Sequence, residues 1–199
     1  MSSAVLVVDA GGTNLTSVLA ALQRLGAPAR LSADPAELRE ARRVILPGVG
    51  AAAPAMQRLE SLGLTEVIRS LTQPVLGICL GMQLLYERSE EGDVACLGLI
   101  PGTVSRLAGS AQARVPHMGW NRLELLGPAP LLAGLPDEPY AYFVHSFAAP
   151  PSQFTLATSL HGSEFSSAAG RANFWGTQFH PERSAGVGAR ILRNFLEDM

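Results

Sequence analysis

Apolar and polar positions follow two different patterns along the chain, and the change between them falls near its middle. In the first half, a strand is predicted at residues 29–32, Ala-Arg-Leu-Ser. Short apolar runs lie at residues 4–9, 44–46 and 74–79, and stretches with helical spacing separate these segments. Runs this short and this apolar are typical of strands covered on both faces. Their regular alternation with helices predicts a parallel sheet with helices packed on both sides.

One of the helical stretches begins with a clear start signal. Asp34 stands where an N-cap residue would be, Pro35 follows at the first helical position, and Glu37 is three residues beyond the cap. This order is typical of a helix N-terminus. Further helices are predicted at residues 14–25, 54–62, 65–71, 81–88 and 187–196, the last of them amphipathic.

The second half is rich in strand-like segments separated by turn residues. They lie at residues 97–107, 115–125, 140–147, 154–160 and 174–179. We expect them to form a mixed or antiparallel extension of the sheet. Residues 128–139 are rich in proline and glycine and predict an excursion over the surface. The length of 199 residues predicts a single domain over residues 1–199.

Composition excludes two broad classes of protein. Fifteen Lys and Arg against seventeen Asp and Glu give a net charge of −2, with 16% charged and 47% hydrophobic residues. A disordered chain would be less hydrophobic, and a protein that binds nucleic acid through a basic face would carry a cationic surplus. Two cysteines make no disulfide framework, and no secretory leader or membrane span is expected, so we expect a cytoplasmic protein.

The sharpest chemical signal is Gly77-Ile78-Cys79-Leu80-Gly81, where a predicted strand meets a predicted helix. A nucleophile on such a corner has a strained backbone, and small neighbours avoid clashes there. The helix start would favour a thiolate, and the N–H of Leu80 would point to where an oxyanion forms. The alternative is a buried core cysteine without chemical function.

A second signal lies near the other end of the chain, where Gln178-Phe179-His180-Pro181-Glu182 follows an apolar strand-like run. A cysteine nucleophile needs a base, and the base needs an orienting acceptor. Residues two apart on extended backbone project to the same side, so His180 and Glu182 fit these two roles. The alternative for His180 is an ordinary structural histidine at a strand end.

The loop at residues 46–50, Leu-Pro-Gly-Val-Gly, follows the third predicted strand. Doubly wound sheets place ligand contacts at the carboxyl ends of their strands. Its backbone N–H groups could therefore supply a second oxyanion donor, whereas the alternative is a plain turn that ends the strand.

Together these motifs resemble class I glutamine amidotransferases of the Cys-His-Glu type. The segments at residues 115–121 and 142–147 are similar to the glutaminase subunits of imidazole glycerol phosphate synthases, and the resemblance extends over residues 5–195. It implies a flavodoxin-like α/β fold with a mostly parallel central sheet. It also implies that glutamine is hydrolysed to glutamate and ammonia through a cysteine thioester.

The resemblance assigns roles residue by residue. Cys79 would be the nucleophile, His180 the base and Glu182 its orienting acceptor, with an oxyanion hole at Val49, Gly50 and Leu80. The glutamine-binding residues it implies are Gln83, His145, Ser146 and Phe147. The partner-facing residues it implies are Asn14, His117, Trp120, Asn121, Tyr142 and Arg183.

The same resemblance implies a partner but no cofactor and no metal. Ammonia loses its nucleophilicity when it is protonated in water, so it would pass directly to a partner subunit. The implied partner is a (β/α)₈-barrel cyclase that forms a heterodimer with this chain. The cyclase would make imidazole glycerol phosphate and an aminoimidazole carboxamide ribotide. No histidine and cysteine spacing in the sequence matches a metal site.

Three other functions remain as alternatives. Asp9-Ala-Gly-Gly-Thr-Asn resembles the first phosphate loop of actin-like sugar kinases, although those folds repeat a unit that is not found here. A non-catalytic binding module would tolerate loss of the nucleophile or the base. A cysteine peptidase or γ-glutamyl hydrolase could use the same three side chains.

Overall fold

The computed structural model describes residues 5–11 and 15–197, and Asn14 lies outside these ranges. The strands are β1 Val5–Val8, β2 Ala29–Ser32, β3 Arg43–Gly48, β4 Val75–Cys79, β5 Tyr86–Ser89, β6 Val94–Ala95, β7 Ile100–Arg106, β8 His117–Arg122, β9 Glu124–Leu125, β10 Tyr140–His145, β11 Phe147–Ala148, β12 Thr155–His161, β13 Ser163–Arg171 and β14 Phe174–Thr177. The helices are α1 Leu15–Arg24, α2 Pro35–Glu40, α3 Ala52–Ser61, α4 Leu64–Arg69, α5 Leu80–Leu84 and α6 Ala185–Glu197.

An eight-stranded sheet forms the centre of the molecule, in the order β2-β1-β3-β4-β14-β13-β12-β9. The first five strands of this order run parallel, and β13, β12 and β9 continue the sheet antiparallel. The predicted α/β fold with a mostly parallel sheet and an antiparallel extension is thus confirmed. Not every later strand joins it, because β8 pairs with β10 alone, and β11, β7, β5 and β6 form a separate four-stranded sheet.

Helices cover both faces of the parallel part, as the apolar strands predict. On one face, Leu6 and Val8 of β1 pack in a core cluster with Leu59 of α3. On the other face, Val7 packs with Leu22 of α1 and other apolar residues of α1 and α6. Side chains that alternate along a strand point to opposite faces, so one strand supplies both clusters. Over the described residues, no helix is both long and apolar enough to cross a membrane.

The predicted start of α2 is confirmed in detail. The Asp34 carboxylate accepts hydrogen bonds from the N–H groups of Ala36 and Glu37, at 2.7 and 3.3 Å. Glu37 does not turn back to the cap; its carboxylate accepts from the Ser32 hydroxyl and pairs with Arg30. The acidic residue of the first turn therefore joins this helix to β2.

The predicted helix over residues 81–88 is wrong in its second half. Helix α5 ends at Leu84, and Tyr86–Ser89 forms strand β5. The carbonyl groups of Leu84, Leu85 and Tyr86 accept backbone hydrogen bonds from residues 97–100 instead of continuing the helix. Residues 80–86 are all buried, so their apolar pattern fits a buried helix and a buried strand equally well.

Two further segments differ from the sequence prediction. Strand β13 was not predicted, because its centre, Ser-Ser-Ala-Ala at residues 166–169, lacks the large β-branched and aromatic residues typical of strands. Residues 128–139 are not wholly a surface excursion. A short 3₁₀ helix at Pro130–Leu132 buries two leucines, and the Asn194 amide of α6 donates to the Leu131 and Ala133 carbonyls.

Candidate active site

Cys79 occupies a strained corner between β4 and α5. Its backbone has φ 55° and ψ −110°, a conformation that costs an L-residue about 1–3 kcal/mol and is found mainly at functional sites. The corner is tight because a Cβ atom added at Gly81 would lie 1.8 Å from the Leu46 carbonyl oxygen. Only glycine fits there, which explains the glycine two residues after the cysteine.

The sheet order brings the distant histidine to this corner. Strand β14 pairs with β4 so that Thr177 lies opposite Ile78, and the chain beyond Thr177 runs past Cys79 to His180. The imidazole Nδ1 of His180 is 2.8 Å from the Glu182 carboxylate. Because a carboxylate only accepts, Nδ1 carries the proton and Nε2 is left for the hydrogen bond between this imidazole and the Cys79 side chain.

The three side chains share a largely dry environment, since the exposed fractions of Cys79, His180 and Glu182 are 7%, 6% and 9%. Burial lowers the pKa of His180, but its hydrogen bonds to Cys79 and Glu182 outweigh burial and raise the pKa to about 10. An imidazole with a raised pKa accepts a proton readily and holds it at neutral pH. The raised pKa therefore favours the step in which His180 takes the proton that the Cys79 thiol must lose.

A cavity of about 290 Å³ opens beside Cys79 and His180. It brings together the predicted oxyanion-hole and glutamine-binding residues, and Glu182 lies behind His180, outside the lining. The predicted residues that line it are Val49, Gly50, Leu80, Gln83, His145, Ser146 and Phe147. Gly50 has φ +95°, so the loop that carries Val49 already uses a conformation that favours glycine.

Hydrogen bonds within the protein already occupy part of the predicted glutamine-binding set. The amide nitrogen of Gln83 donates to the Phe147 carbonyl at 2.8 Å and to the Gln178 side-chain oxygen at 3.1 Å. A ligand would therefore have to use the Gln83 side-chain oxygen. His145 donates from Nδ1 to the same Phe147 carbonyl at 3.0 Å.

Sequence reasoning missed two polar residues at this site, in addition to the lining residues Pro116 and Val144. Glu91 lines the cavity, and its carboxylate accepts from the Ala52 N–H at 3.0 Å. Gln178 is fully buried, and its amide nitrogen lies 3.8 Å from the Cys79 sulfur. Gln178 could have been suspected as the residue that follows the strand beside the cysteine strand. No local pattern marks Glu91, which lies in the turn after strand β5.

The predicted partner-facing residues divide into exposed and buried groups. Strands β8 and β10 pair with Trp120 opposite Tyr142, and these two rings make an edge-to-face contact at 6.1 Å. The Trp120 side chain is 54% exposed. Arg183 is exposed and Asn121 and Tyr142 are half-buried.

His117 differs from the expectation for a partner-facing residue, because it is buried. Its ring stacks between Phe143 and His161, and its Nδ1 lies 3.0 Å from Nε2 of His145. Burial lowers the pKa of His117 to about 4, and burial together with the nearby His117 lowers the pKa of His145 to about 3. Both rings are therefore neutral at neutral pH and support the cavity wall from behind.

The described residues contain no group of three or more His, Cys, Asp or Glu side chains that could hold a metal ion. The cavity itself presents a buried sulfur, a paired imidazole and several backbone donors.

Comparison with known proteins agrees with this geometry. The chain matches the family described as Glutamine amidotransferase class-I over residues 6–199. The chain belongs to the class-I glutamine amidotransferase family. Within this family it is 57% identical, over 97% of its length and 96% of theirs, to proteins named imidazole glycerol phosphate synthase subunit HisH from Xanthomonas axonopodis pv. citri and Xylella fastidiosa.

Solved structures place this class-I glutamine amidotransferase in the same fold. A crystal structure of a glutamine amidotransferase superposes with a TM-score of 0.76, at 22% identity, over 98% of this chain and 97% of that one. A chain of the PurLQS structure from Thermotoga maritima superposes with a TM-score of 0.75, at 18% identity, over 100% and 99%. At these identities the comparison establishes the fold, which agrees with the sequence expectation.

Proposed function

We propose that this chain is the glutaminase subunit of an imidazole glycerol phosphate synthase, acting in histidine biosynthesis. It would hydrolyse L-glutamine to glutamate and ammonia and pass the ammonia to a cyclase subunit. One observation carries the proposal: the strained Cys79 contacts a His180 that is bonded to Glu182, beside a cavity, in a chain 57% identical to proteins named as that subunit. The same identity argues against the sugar kinase and the peptidase.

The reaction follows from the side chains around the cavity. His180 takes the thiol proton, and the Cys79 sulfur attacks the side-chain carboxamide carbon of glutamine. When the tetrahedral intermediate collapses, the C–N bond breaks and His180 returns the proton, so ammonia leaves and a thioester remains. His180 then takes a proton from water, which attacks the thioester. The C–S bond breaks with its electron pair on sulfur, His180 returns the proton to the sulfur, and glutamate is released.

The oxyanion of both tetrahedral intermediates needs donors next to the sulfur. The N–H of Leu80 belongs to the first turn of α5, whose N–H groups have no partner within the helix. Val49 and Gly50 line the same cavity from the facing loop. We assign the oxyanion hole to these backbone groups, with the Val49 N–H turning inward after a peptide rotation that the glycines on either side permit.

Glu91 would recognise the amino group of the substrate. Burial raises the pKa of Glu91, and the hydrogen bond from Ala52 opposes that rise. A carboxylate at the edge of a small cavity is stabilised by a cation, and glutamine brings an α-ammonium group. Glu91 therefore fits the α-amino end of the substrate.

Replacing Glu91 with glutamine is expected to raise the KM for glutamine about 10- to 100-fold with little change in kcat, because a charge-assisted contact made throughout the reaction is lost. Steady-state kinetics would measure both constants. Glu90→Gln is the matched control, since the Glu90 carboxylate also accepts a backbone N–H, from Arg106, but lies outside the cavity lining. Equal KM values in the two variants would show that Glu91 does not bind the substrate.

The partner would dock on the outer face of the sheet formed by β8 and β10. Met118, Trp120 and Tyr140 are 64%, 54% and 48% exposed there, which is unusual for large apolar side chains. On the same strands, Met118 lies opposite Val144, and Val144 lines the cavity beside Cys79. A partner on this face would therefore seal the mouth through which ammonia leaves.

Complex formation gives the direct test of the proposed function. The chain purified with a candidate cyclase, as a heterodimer, is expected to convert the cyclase substrate with glutamine as the nitrogen source. The isolated chain is expected to be nearly inactive, since the Val49 donor would turn inward only with the partner bound. High glutaminase activity of the isolated chain, or no glutamine-dependent turnover by the complex, would contradict this assignment.

The proposal also includes the cellular compartment of the chain and its domain organisation. Cys79 and Cys96 are both free thiols, as in a reducing compartment, so we place the reaction in the cytoplasm. We also propose that residues 1–199 form one domain, because both core clusters flank the same central sheet.

A further inference from the structure

Gln178 lies against the nucleophile because of the register of the parallel sheet. It is the residue after β14, and β14 pairs with β4 up to Thr177 opposite Ile78. The next step along both strands sets Gln178 beside Cys79. Its side chain is completely buried, and its own backbone N–H donates to the Ser167 carbonyl of β13.

The orientation of the Gln178 amide is determined by its neighbours. The Phe147 carbonyl oxygen can only accept, so the Gln83 group 2.8 Å from it is the amide nitrogen. That nitrogen also faces the Gln178 side chain at 3.1 Å, so the Gln178 atom there must be its oxygen. The Gln178 nitrogen is then left to face the Cys79 sulfur, at 3.8 Å.

The second acceptor site on the Phe147 carbonyl strengthens this orientation. His145 donates to it from Nδ1, and His117 in turn lies at Nε2 of His145. The carbonyl is thereby held by two donors, so the Gln83 amide is not free to turn. A chain of fixed donors and acceptors thus connects the cavity wall to the sulfur.

We propose that Gln178 is a positioning residue for the nucleophile, donating an N–H to the Cys79 sulfur. This inference rests on the proposed function, in which the sulfur carries negative charge twice. The sulfur is negatively charged before it attacks the carboxamide, and again when the thioester C–S bond breaks and the electron pair returns to sulfur. An amide N–H aimed at the sulfur stabilises that charge and holds the side chain in one rotamer.

A purely structural role makes a different prediction. In that case Gln178 would only join the end of β14 to α5 through Gln83, and its loss would lower stability without changing the chemistry of the sulfur. The two roles separate in the pH dependence of Cys79 reactivity, which needs neither glutamine nor the partner.

Gln178→Met is the test variant, since methionine has a similar length but no N–H donor. The rate of Cys79 alkylation by iodoacetamide, followed on the Cys79 peptide by mass spectrometry, would be measured against pH. We expect the midpoint of this profile to move upward by about one pH unit, and kcat in the cyclase complex to fall about 10-fold with KM nearly unchanged.

Ser167→Ala is the matched control. It removes a buried hydrogen bond, from Ser167 to Ser159, on the neighbouring strand and away from the sulfur. Its alkylation midpoint is expected to equal that of the unmodified chain. If Gln178→Met does not fold, Gln178→Asn keeps an amide but withdraws it from the sulfur, and an upward shift in the same direction is expected.

An alkylation midpoint unchanged in the folded Gln178 variants would overturn the proposal. Failure of the proposed function gives a different result: the complex would not use glutamine at all, whereas the upward shift of the alkylation midpoint would still appear. The two failures are therefore distinguishable.

Discussion

Replacing Cys79 with alanine is expected to abolish glutamine-dependent turnover by the complex with the cyclase, while turnover with added ammonium salt stays near its original level. The thioester cannot form without the sulfur, so the loss should be about 10⁴-fold or more. The cyclase site receives ammonia whatever its source, so free ammonia at high concentration should replace the missing donor. Product formation with each nitrogen source would be measured on the same preparation.

The second cysteine provides the control for this experiment. Cys96 is buried in a core cluster on the opposite face of the sheet from Cys79, and burial raises the pKa of its thiol to about 11, so it is an inert apolar residue. Cys96→Ala should keep both activities. Loss of both activities in Cys79→Ala would mean that the chain does more than supply ammonia. Retained use of glutamine would mean that the nucleophile lies elsewhere.

The parallel half of the fold was predictable because its strands carry their own signal. Residues 74–79 and 44–46 are apolar at nearly every position, as strands covered on both faces must be, and turn residues bound them. The Asp34 cap is equally local, since donor, acceptor and proline lie within four residues. Signals of this kind depend on the segment alone and not on what packs against it.

The antiparallel half was harder to predict because its pattern depends on neighbours. Strand β13 is built from small residues that pack tightly; a Cβ at Gly170 would lie 2.6 Å from the Trp175 ring. Such a segment looks like a loop until its partner is known. The predicted length of helix α5 is wrong for a related reason, because the carbonyl groups of residues 84–86 accept hydrogen bonds from the N–H groups of residues 97–100.

The candidate site divides in the same way. Two parts of the site are short sequence motifs: Cys79 between its glycines, and His180 with Glu182. In both motifs the spacing of the residues is enough to predict their local geometry. Glu91 and Gln178 depend on contacts across the fold: the carboxylate of Glu91 reaches the backbone of Ala52, and Gln178 meets a cysteine 99 residues earlier. The resemblance implies that His117 faces a partner, whereas its apolar strand context fits a core residue equally well; in the structure its side chain is buried.

His180→Ala is expected to reduce glutaminase activity of the complex about 10⁴-fold, and Glu182→Gln about 10²-fold. Among the described residues that contact the Cys79 sulfur, His180 is the one that can both accept and return the proton, and the alanine removes it. The glutamine leaves that group in place but weakens its orientation and the stabilisation of its cation. Glutamate release under saturating glutamine would measure both. Equal losses in the two variants would contradict an orienting role for Glu182.

Folding stability gives an independent measure of the same pair. The pKa of His180 is raised from 6.5 to about 10 in the folded chain, so its contribution to stability is fully present below 6.5 and is lost as the pH rises through about 10. Glu182→Gln removes one cause of that rise. The difference in unfolding free energy between the unmodified chain and this variant should therefore be larger at about pH 6 than above about pH 10. Glu164→Gln, which changes an exposed carboxylate bonded to Thr158, should show no such pH dependence. A difference that instead grew toward high pH would mean that Glu182 does not stabilise the His180 cation, and the orienting role would fail with it.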